Sequence, residues 1–238
     1  MKALYGADSA IPANTRLTNG YTLYEWVARM SGFPAFWGRT LTGVNAVEEG
    51  EAEFLRRMDC KIALIYDELS EIGVSSNDGA RDTVRAVEAA KGLGVPQGQD
   101  IGIFAEIRPD WSVNHNWMIS WANIMTNSGF IPGFIGNTDS SKNFNFGRQC
   151  SHYVQFMGAG SALYWATEPN LGAEPLSWSP YCPSALAPGQ MHLWRAGGTV
   201  SYRDLQVNVD YARDASVLRS MWRAGKGDRV EGQCEEDG

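Results

Sequence analysis

No apolar run in this 238-residue chain approaches the roughly 18 residues that a membrane span requires, although 44% of its residues are hydrophobic. Basic residues are also scarce. The 20 Lys and Arg are outnumbered by 27 Asp and Glu, which leaves a net charge of −7 and a pI near 5.0. A surface built to neutralise phosphates needs the opposite balance, so no nucleic-acid partner and no membrane span are expected. Only Met1–Ala10 is placed to begin a signal peptide, and Asp8 falls where its apolar segment should continue.

Cysteine and histidine are too few and too scattered to suggest a metal. Cys60, Cys150, Cys182 and Cys234 lie far apart, with no C-x-x-C pair, and His115, His152 and His192 are isolated from one another. A structural zinc site draws on closely spaced ligands, and a disulfide-held scaffold is shorter and richer in cysteine. There is no G-x-S-x-G elbow, no G-x-G-x-x-G after the first apolar run and no G-x-x-x-x-G-K-[ST]. A serine-nucleophile site and a phosphate-cradling turn therefore lack their usual signatures, and no metal or other cofactor is expected.

Aromatic residues and glycine are plentiful: nine Trp, nine Tyr, nine Phe and 26 Gly. Trp and Tyr offer flat apolar faces with a polar edge, which suit stacking on sugar rings and ordinary core packing alike. The aromatics are set in a regular alternation. Short apolar runs occur at Ala3–Ala7, Pro34–Leu41, Lys61–Leu69, Asp100–Ile107, Phe130–Gly136, Ala162–Thr167, Gln190–Arg195 and Leu205–Tyr211. Helical stretches separate most of them. Thr22 and Glu25 form a capping box, Asn45 is placed to cap a second helix, and Asn77–Leu93 reads as a third. Trp117, Met118, Trp121, Ile124 and Met125 carry a clear helical period over Asn114–Ser128. A closing helix is expected to bear Val217, Leu218, Met221 and Trp222 on one face.

Eight strands alternating with helices predict an α/β fold, a (β/α)8 TIM-type barrel, which typically takes ~250 residues. Residues 1–222 form one domain in this reading, and the polar stretch 223–238 is a disordered acidic tail. The Pro-rich segment Leu171–Gly189 replaces the helix after strand six, as a binding loop or lid.

In such a barrel the active site lies at the carboxyl ends of the strands. That places Asp8, Arg39, Tyr66, Asp67, Glu106, Asn137, Glu168 and Asp210 around one mouth. Glycoside hydrolysis needs one carboxylic acid to protonate the leaving oxygen and a second carboxylate to activate water or stabilise positive charge. Glu106 is the best candidate acid, because it follows the apolar run Ile101–Ala105 and burial there would raise its pKa. Asp8 or Asp210 is the partner carboxylate. Trp37, Trp165 and Trp194 are candidate stacking platforms. Arg39 reads either as a substrate contact or as an ion-pair partner holding Asp8 or Asp67 in place.

These segments resemble glycoside hydrolase family 25, the lysozyme-like muramidases, and a related glycoside-hydrolase-like domain found in actinobacterial proteins and their phages. The likeness runs in strand order over residues 3–212, through YGADSA, FWGRTL, LYWATE, HLWR and VNVDYA. It implies that Asp8, Glu106 and Asp210 line a sugar-binding cleft, with Glu106 as general acid. The muramidases carry an Asp two residues before that Glu, where this chain has Phe104. After Trp194 it has Arg195-Ala196 in place of the family's Gln-Tyr.

The resemblance implies a hydrolase-like domain acting on bacterial cell-wall glycan, a polysaccharide partner. The alternative is a non-catalytic glycan-binding or structural barrel, such as a phage minor tail protein with other virion proteins as partners. With no leader seen, a phage-encoded chain would reach the cell wall in a particle or after lysis; otherwise a cytoplasmic chain, or one whose leader has been removed, is expected. A metabolic barrel enzyme is a third reading, and the lack of a phosphate-binding glycine pattern near strands seven and eight counts against it.

Overall fold

The computed structural model describes residues 3–139, 145–167 and 177–225. Eight strands close into one barrel in sequence order: β1 (Leu4–Asp8), β2 (Phe36–Thr40), β3 (Lys61–Tyr66), β4 (Gly102–Glu106), β5 (Ile131–Gly136), β6 (Leu163–Ala166), β7 (Leu193–Tyr202) and β8 (Leu205–Ala212). Around them lie helices α1 (Leu23–Ser31), α2 (Glu49–Arg57), α3 (Glu71–Ser75), α4 (Ala80–Gly92), α5 (His115–Asn127) and α6 (Asn145–Met157). This is the (β/α)8-type barrel the alternation predicts.

Local chemistry fixes the helix starts. Thr22 N–H donates to Glu25 Oε2 at 2.7 Å, and Glu25 N–H donates to Thr22 Oγ1 at 3.2 Å, completing the capping box of α1. Asn114 caps α5 by accepting from Asn116 N–H at 2.9 Å. Asn45 does not cap α2, which begins later at Glu49; its carbonyl accepts a hydrogen bond from Arg39 instead.

Side chains alternate across each strand, so the barrel has two apolar compartments. Inside it, Phe36, Ala63, Ile65, Phe104, Ile135, Leu163, Trp165 and Leu193 pack together. The amino ends of the strands are plugged by Val217, Leu218 and Met221. These belong to a 3₁₀ turn (Val217–Ser220) rather than the closing α-helix expected, and Trp222 then pairs with Ile62. Outside the barrel, Trp37, Leu64, Tyr66, Trp117, Trp121 and Trp194 fill the layer beneath the helices.

The last strand departs from an all-parallel barrel. β1 through β7 pair in parallel, but β8 runs antiparallel to both β7 and β1. The physical reason is the connection Arg203-Asp204, far shorter than the dozen or more residues of a parallel crossover. β7 and β8 instead form a hairpin that turns at Arg203, in the left-handed region at φ 52°.

The Pro-rich segment is described only from Ser177. From there to β7 it holds a single 3₁₀ turn, Pro188–Gln190. Glu168, residues 171–176 of that segment, and residues 226–238 with Cys234 lie outside the described residues.

Candidate functional site

The parallel strands bring their carboxyl ends to one mouth, and β8 enters it from the opposite direction. Asp8 ends β1 and Glu106 ends β4. On β8, Asn208 pairs with Asp8, whereas Asp210 pairs with Gly6, two residues deeper. Asp210 is therefore part of the barrel interior, fully shielded from solvent, and not of the mouth where an all-parallel barrel would put it.

Arg195 sits at the centre of these carboxyls. Its Nε and Nη2 both lie 2.8 Å from Asp8 Oδ2, its Nη1 donates to Glu106 Oε1 at 3.1 Å, and its Nε is 3.8 Å from Asp210 Oδ1. The guanidinium also lies 5.7 Å from the centre of the Trp165 ring. Asn208 Nδ2 holds the other Asp8 oxygen at 2.9 Å. A bulge between Arg195 and Thr199, with Gly197 at φ 78°, interrupts the β7–β8 ladder directly after Arg195. Gly197-Gly198 reads as a simple turn in the sequence and is this bulge in the structure.

Burial and mutual repulsion set the protonation of the cluster. Burial pushes the Asp210 carboxyl well up, the Asp8 charge pushes it further, and Arg195 opposes both. Its Oδ1 accepts from Trp165 Nε1–H at 3.1 Å, and Oδ2 finds no donor among the described residues. Burial and the Asp8 charge together thus favour the protonated form of Asp210. Burial also raises Glu106, aided by Asp8 and Asp67 and opposed by Arg195.

Above the cluster opens a cavity of about 400 Å³, lined by Asp8, Thr40, Asp67, Glu106, Arg195 and Asn208 among others. A second hollow of about 360 Å³ shares Asp67, Glu106 and Arg195 with it and extends to Arg108 and Thr167. Together they make one polar cleft across the barrel mouth.

Of the residues singled out from the sequence, the structure gathers Asp8, Asp67 and Glu106 around this cleft, with Asp210 beneath it. It does not bring the others there. Arg39 alternates to the outside of β2, where it is wholly buried. It pairs with Glu51 of α2 at 2.8 Å and donates to the carbonyls of Ser9 and Asn45 at 2.6 and 2.7 Å. Trp37, Tyr66 and Trp194 also face outward and are buried; they pack on Tyr24, Trp121 and Trp178 respectively. None of the four can touch a ligand in the cleft. Trp165 does face inward, but its ring is completely buried against Phe36 and Phe104 and offers no stacking platform. Asn137 is buried past β5, where its Oδ1 accepts from Asp139 N–H at 2.9 Å. Arg195 and Asn208 are among the cleft residues left unassigned in the sequence. The signal for both was the shortness of the β7–β8 connection.

Elsewhere, His115 and His152 come together with ring centres 5.5 Å apart. Among the described residues no group of three or more His, Cys, Asp or Glu is placed to hold a metal ion, and no helix is long and apolar enough to cross a membrane.

Solved structures share this architecture over nearly the whole chain. An uncharacterized B. stearothermophilus protein superposes with a TM-score of 0.76 at 22% identity, covering 92% of this chain and all of that one. A muramidase from Acremonium alcalophilum gives 0.55 at 14% identity, covering 91% and 97%. A family 25 lysozyme from Aspergillus fumigatus gives 0.52 at 11% identity, with the same coverages. The chain has the fold of the family 25 lysozymes. No protein-family model and no curated protein sequence matches it. Within the family 25 fold, this chain places Phe104 in the barrel centre, 5.5 Å from Trp165 and edge-on to it. The resemblance put an aspartate of the muramidases at that position. In this chain an aromatic ring fills that space.

Proposed function

We propose that this chain is a glycoside-hydrolase-like barrel that takes bacterial cell-wall glycan into the cleft at its mouth, with Glu106 as proton donor and Asp8 as partner carboxylate. The observation that carries this reading is the placement of Glu106. It ends β4 at the cleft, burial favours its protonated form, and it faces Asp8 across one guanidinium. A protonated Glu106 can deliver its proton to a leaving glycosidic oxygen. Asp8 is held in place by Arg195 and Asn208 and can stabilise the positive charge that develops on the sugar. Asp210 is too deep to touch substrate and lies beneath Asp8 and Arg195. The shared fold of muramidases and family 25 lysozymes supports the choice of substrate class.

A second reading, recognition of glycan without cleavage, is favoured by a specific observation. Arg195 contacts Asp8 and Glu106 at once and so occupies the gap between the two carboxyls, where a scissile bond and its water would have to lie. Phe104 adds to it. Release of reducing ends from purified peptidoglycan separates the two. Hydrolysis by the wild type that falls by about 10²–10⁴-fold in Glu106→Gln supports the first reading. Binding to the same glycan with no release from either protein supports the second.

A further inference from the structure

Arg195 holds its two carboxyl partners with unequal firmness. Asp8 receives both Nε and Nη2 at 2.8 Å, and Asn208 fixes its remaining oxygen. Glu106 receives Nη1 alone, at 3.1 Å, and 31% of its side chain remains exposed to the cleft. A guanidinium carries five N–H groups. Three contacts are made, so Nη1 and Nη2 retain hydrogens toward a cavity that Arg195 itself lines.

We propose that Arg195 is the specificity-determining residue of this cleft, and that it selects a sugar bearing a free carboxylate, which displaces Glu106 from Nη1. This rests on the cleft being the glycan site. Planar guanidinium–carboxylate recognition is the strongest directional contact available to Arg195, and Glu106 is the partner it can exchange without disturbing Asp8.

The surrounding charges permit an anion there. Arg195 faces Glu106 from β7, Asp8 from β1 and Asp210 from β8, while Asp67 follows β3 and Arg108 follows β4. The Asp8 charge is matched by Arg195, and burial favours the neutral form of Asp210. Asp67 and Arg108 both line the cleft, so its wall carries a cation as well as acids. The one remaining obstacle is Glu106 itself, which loses its cation and gains an anionic neighbour as the ligand binds. Both changes favour its protonated form. Ligand binding therefore draws a proton onto Glu106, which loads the donor at the moment the substrate arrives.

Titration calorimetry of the full chain with glucuronate and with glucose, at mildly acidic pH, tests this. Glucuronate is expected to bind at least about tenfold more tightly than glucose. Its binding heat should vary with the ionisation enthalpy of the buffer, because a proton is taken up. Arg195→Gln should erase the preference. That variant also strips the acidic cluster of its cation, so Glu106→Gln is the second probe. Removing the rival carboxylate should tighten glucuronate several-fold and abolish the proton uptake. Equal affinities for the two sugars, failure of both to bind, or weaker glucuronate binding by Glu106→Gln would each overturn the inference. Reducing-end release from peptidoglycan is read separately. A glucuronate preference without hydrolysis keeps this inference and removes the hydrolytic reading, and hydrolysis without a preference does the reverse.

Discussion

Arg39 and Glu51 form an ion pair from which solvent is excluded: Nε and Oε1 are 2.8 Å apart, and the two side chains are 0% and 3% exposed. The pair joins β2 to α2, and Glu51 also accepts from Ala13 N–H at 2.7 Å, tying in the segment after β1. A buried charge left without its partner is far costlier than the intact pair is stabilising. Arg39→Met is therefore expected to lower unfolding free energy by about 3–5 kcal/mol in a urea titration. Glu51→Gln should cost a similar amount, because it leaves the buried Arg39 guanidinium, which cannot deprotonate, without a counter-charge. Arg39→Met protein that remains folded should still bind glycan as the wild type does, since Arg39 lies outside the cleft.

Asp210 makes the folded state favour acid. Its folded pKa lies well above the ordinary value of about 3.9, so the stability it contributes is full below that value. That stability is lost as pH rises through the folded pKa, because the unfolded chain ionises first. Asp210→Asn keeps an oxygen to accept from Trp165 and supplies an N–H toward Asp8, so it imitates the protonated acid. Its urea midpoint at neutral pH should equal or exceed that of the wild type, and its decline with rising pH should be shallower. The slope is reduced rather than abolished, because Glu51 and Glu106 shift in the same direction.

Gly133 and Phe104 are fitted to each other across β4 and β5. A Cβ added at Gly133 would fall 2.4 Å from the Phe104 ring, closer than any tolerated contact. Gly133→Ala is expected to destabilise by about 1–3 kcal/mol through overpacking. The double variant Gly133→Ala with Phe104→Leu should recover part of that loss relative to the sum of the single changes. Denaturation midpoints around this cycle give the coupling, and strict additivity would show that the ring does not fill that space.

The thiols should differ in reactivity by depth. Cys60 and Cys150 are buried, and burial pushes both thiols far up. Cys182 is half-buried and is pushed up to about 11. Alkylation followed by peptide mapping should therefore find Cys182 modified slowly in the native protein. Cys60 and Cys150 should be modified only as fast as the chain unfolds. Early labelling of Cys150 would show that α6 opens locally.

Period and punctuation made much of the architecture legible. The strand runs from Lys61 and Asp100 appear within a few residues of where they were read, because strands buried on both faces require near-continuous apolar sequence. The capping box of Thr22 and Glu25, and Asn114, mark helix starts because their hydrogen bonds are local. Val84 shows the limit of such reading. It fits the helical period of α4 but remains 45% exposed, while Thr83 and Ala86 take the inner face.

The candidate site was legible in part. Asp8 and Glu106 follow from the rule that strand carboxyl ends converge, which needs no knowledge of side-chain direction. Arg39, Trp37, Tyr66 and Trp194 were misplaced because a shift of one residue along a strand exchanges inside for outside, and apolar runs with both faces buried do not reveal which is which.

The sequence by itself determined the barrel, its strand order and the acidic residues at its mouth, since each depends on local periodicity and on one general rule of topology. Only the tertiary structure decided that β8 enters against the others, that Asp210 lies beneath the cleft, and that Arg195 stands among the carboxyls. Those facts depend on how residues from β1, β4, β7 and β8 meet across the barrel. Charge and burial act there between side chains as distant in sequence as Asp8 and Arg195, and no local pattern records them.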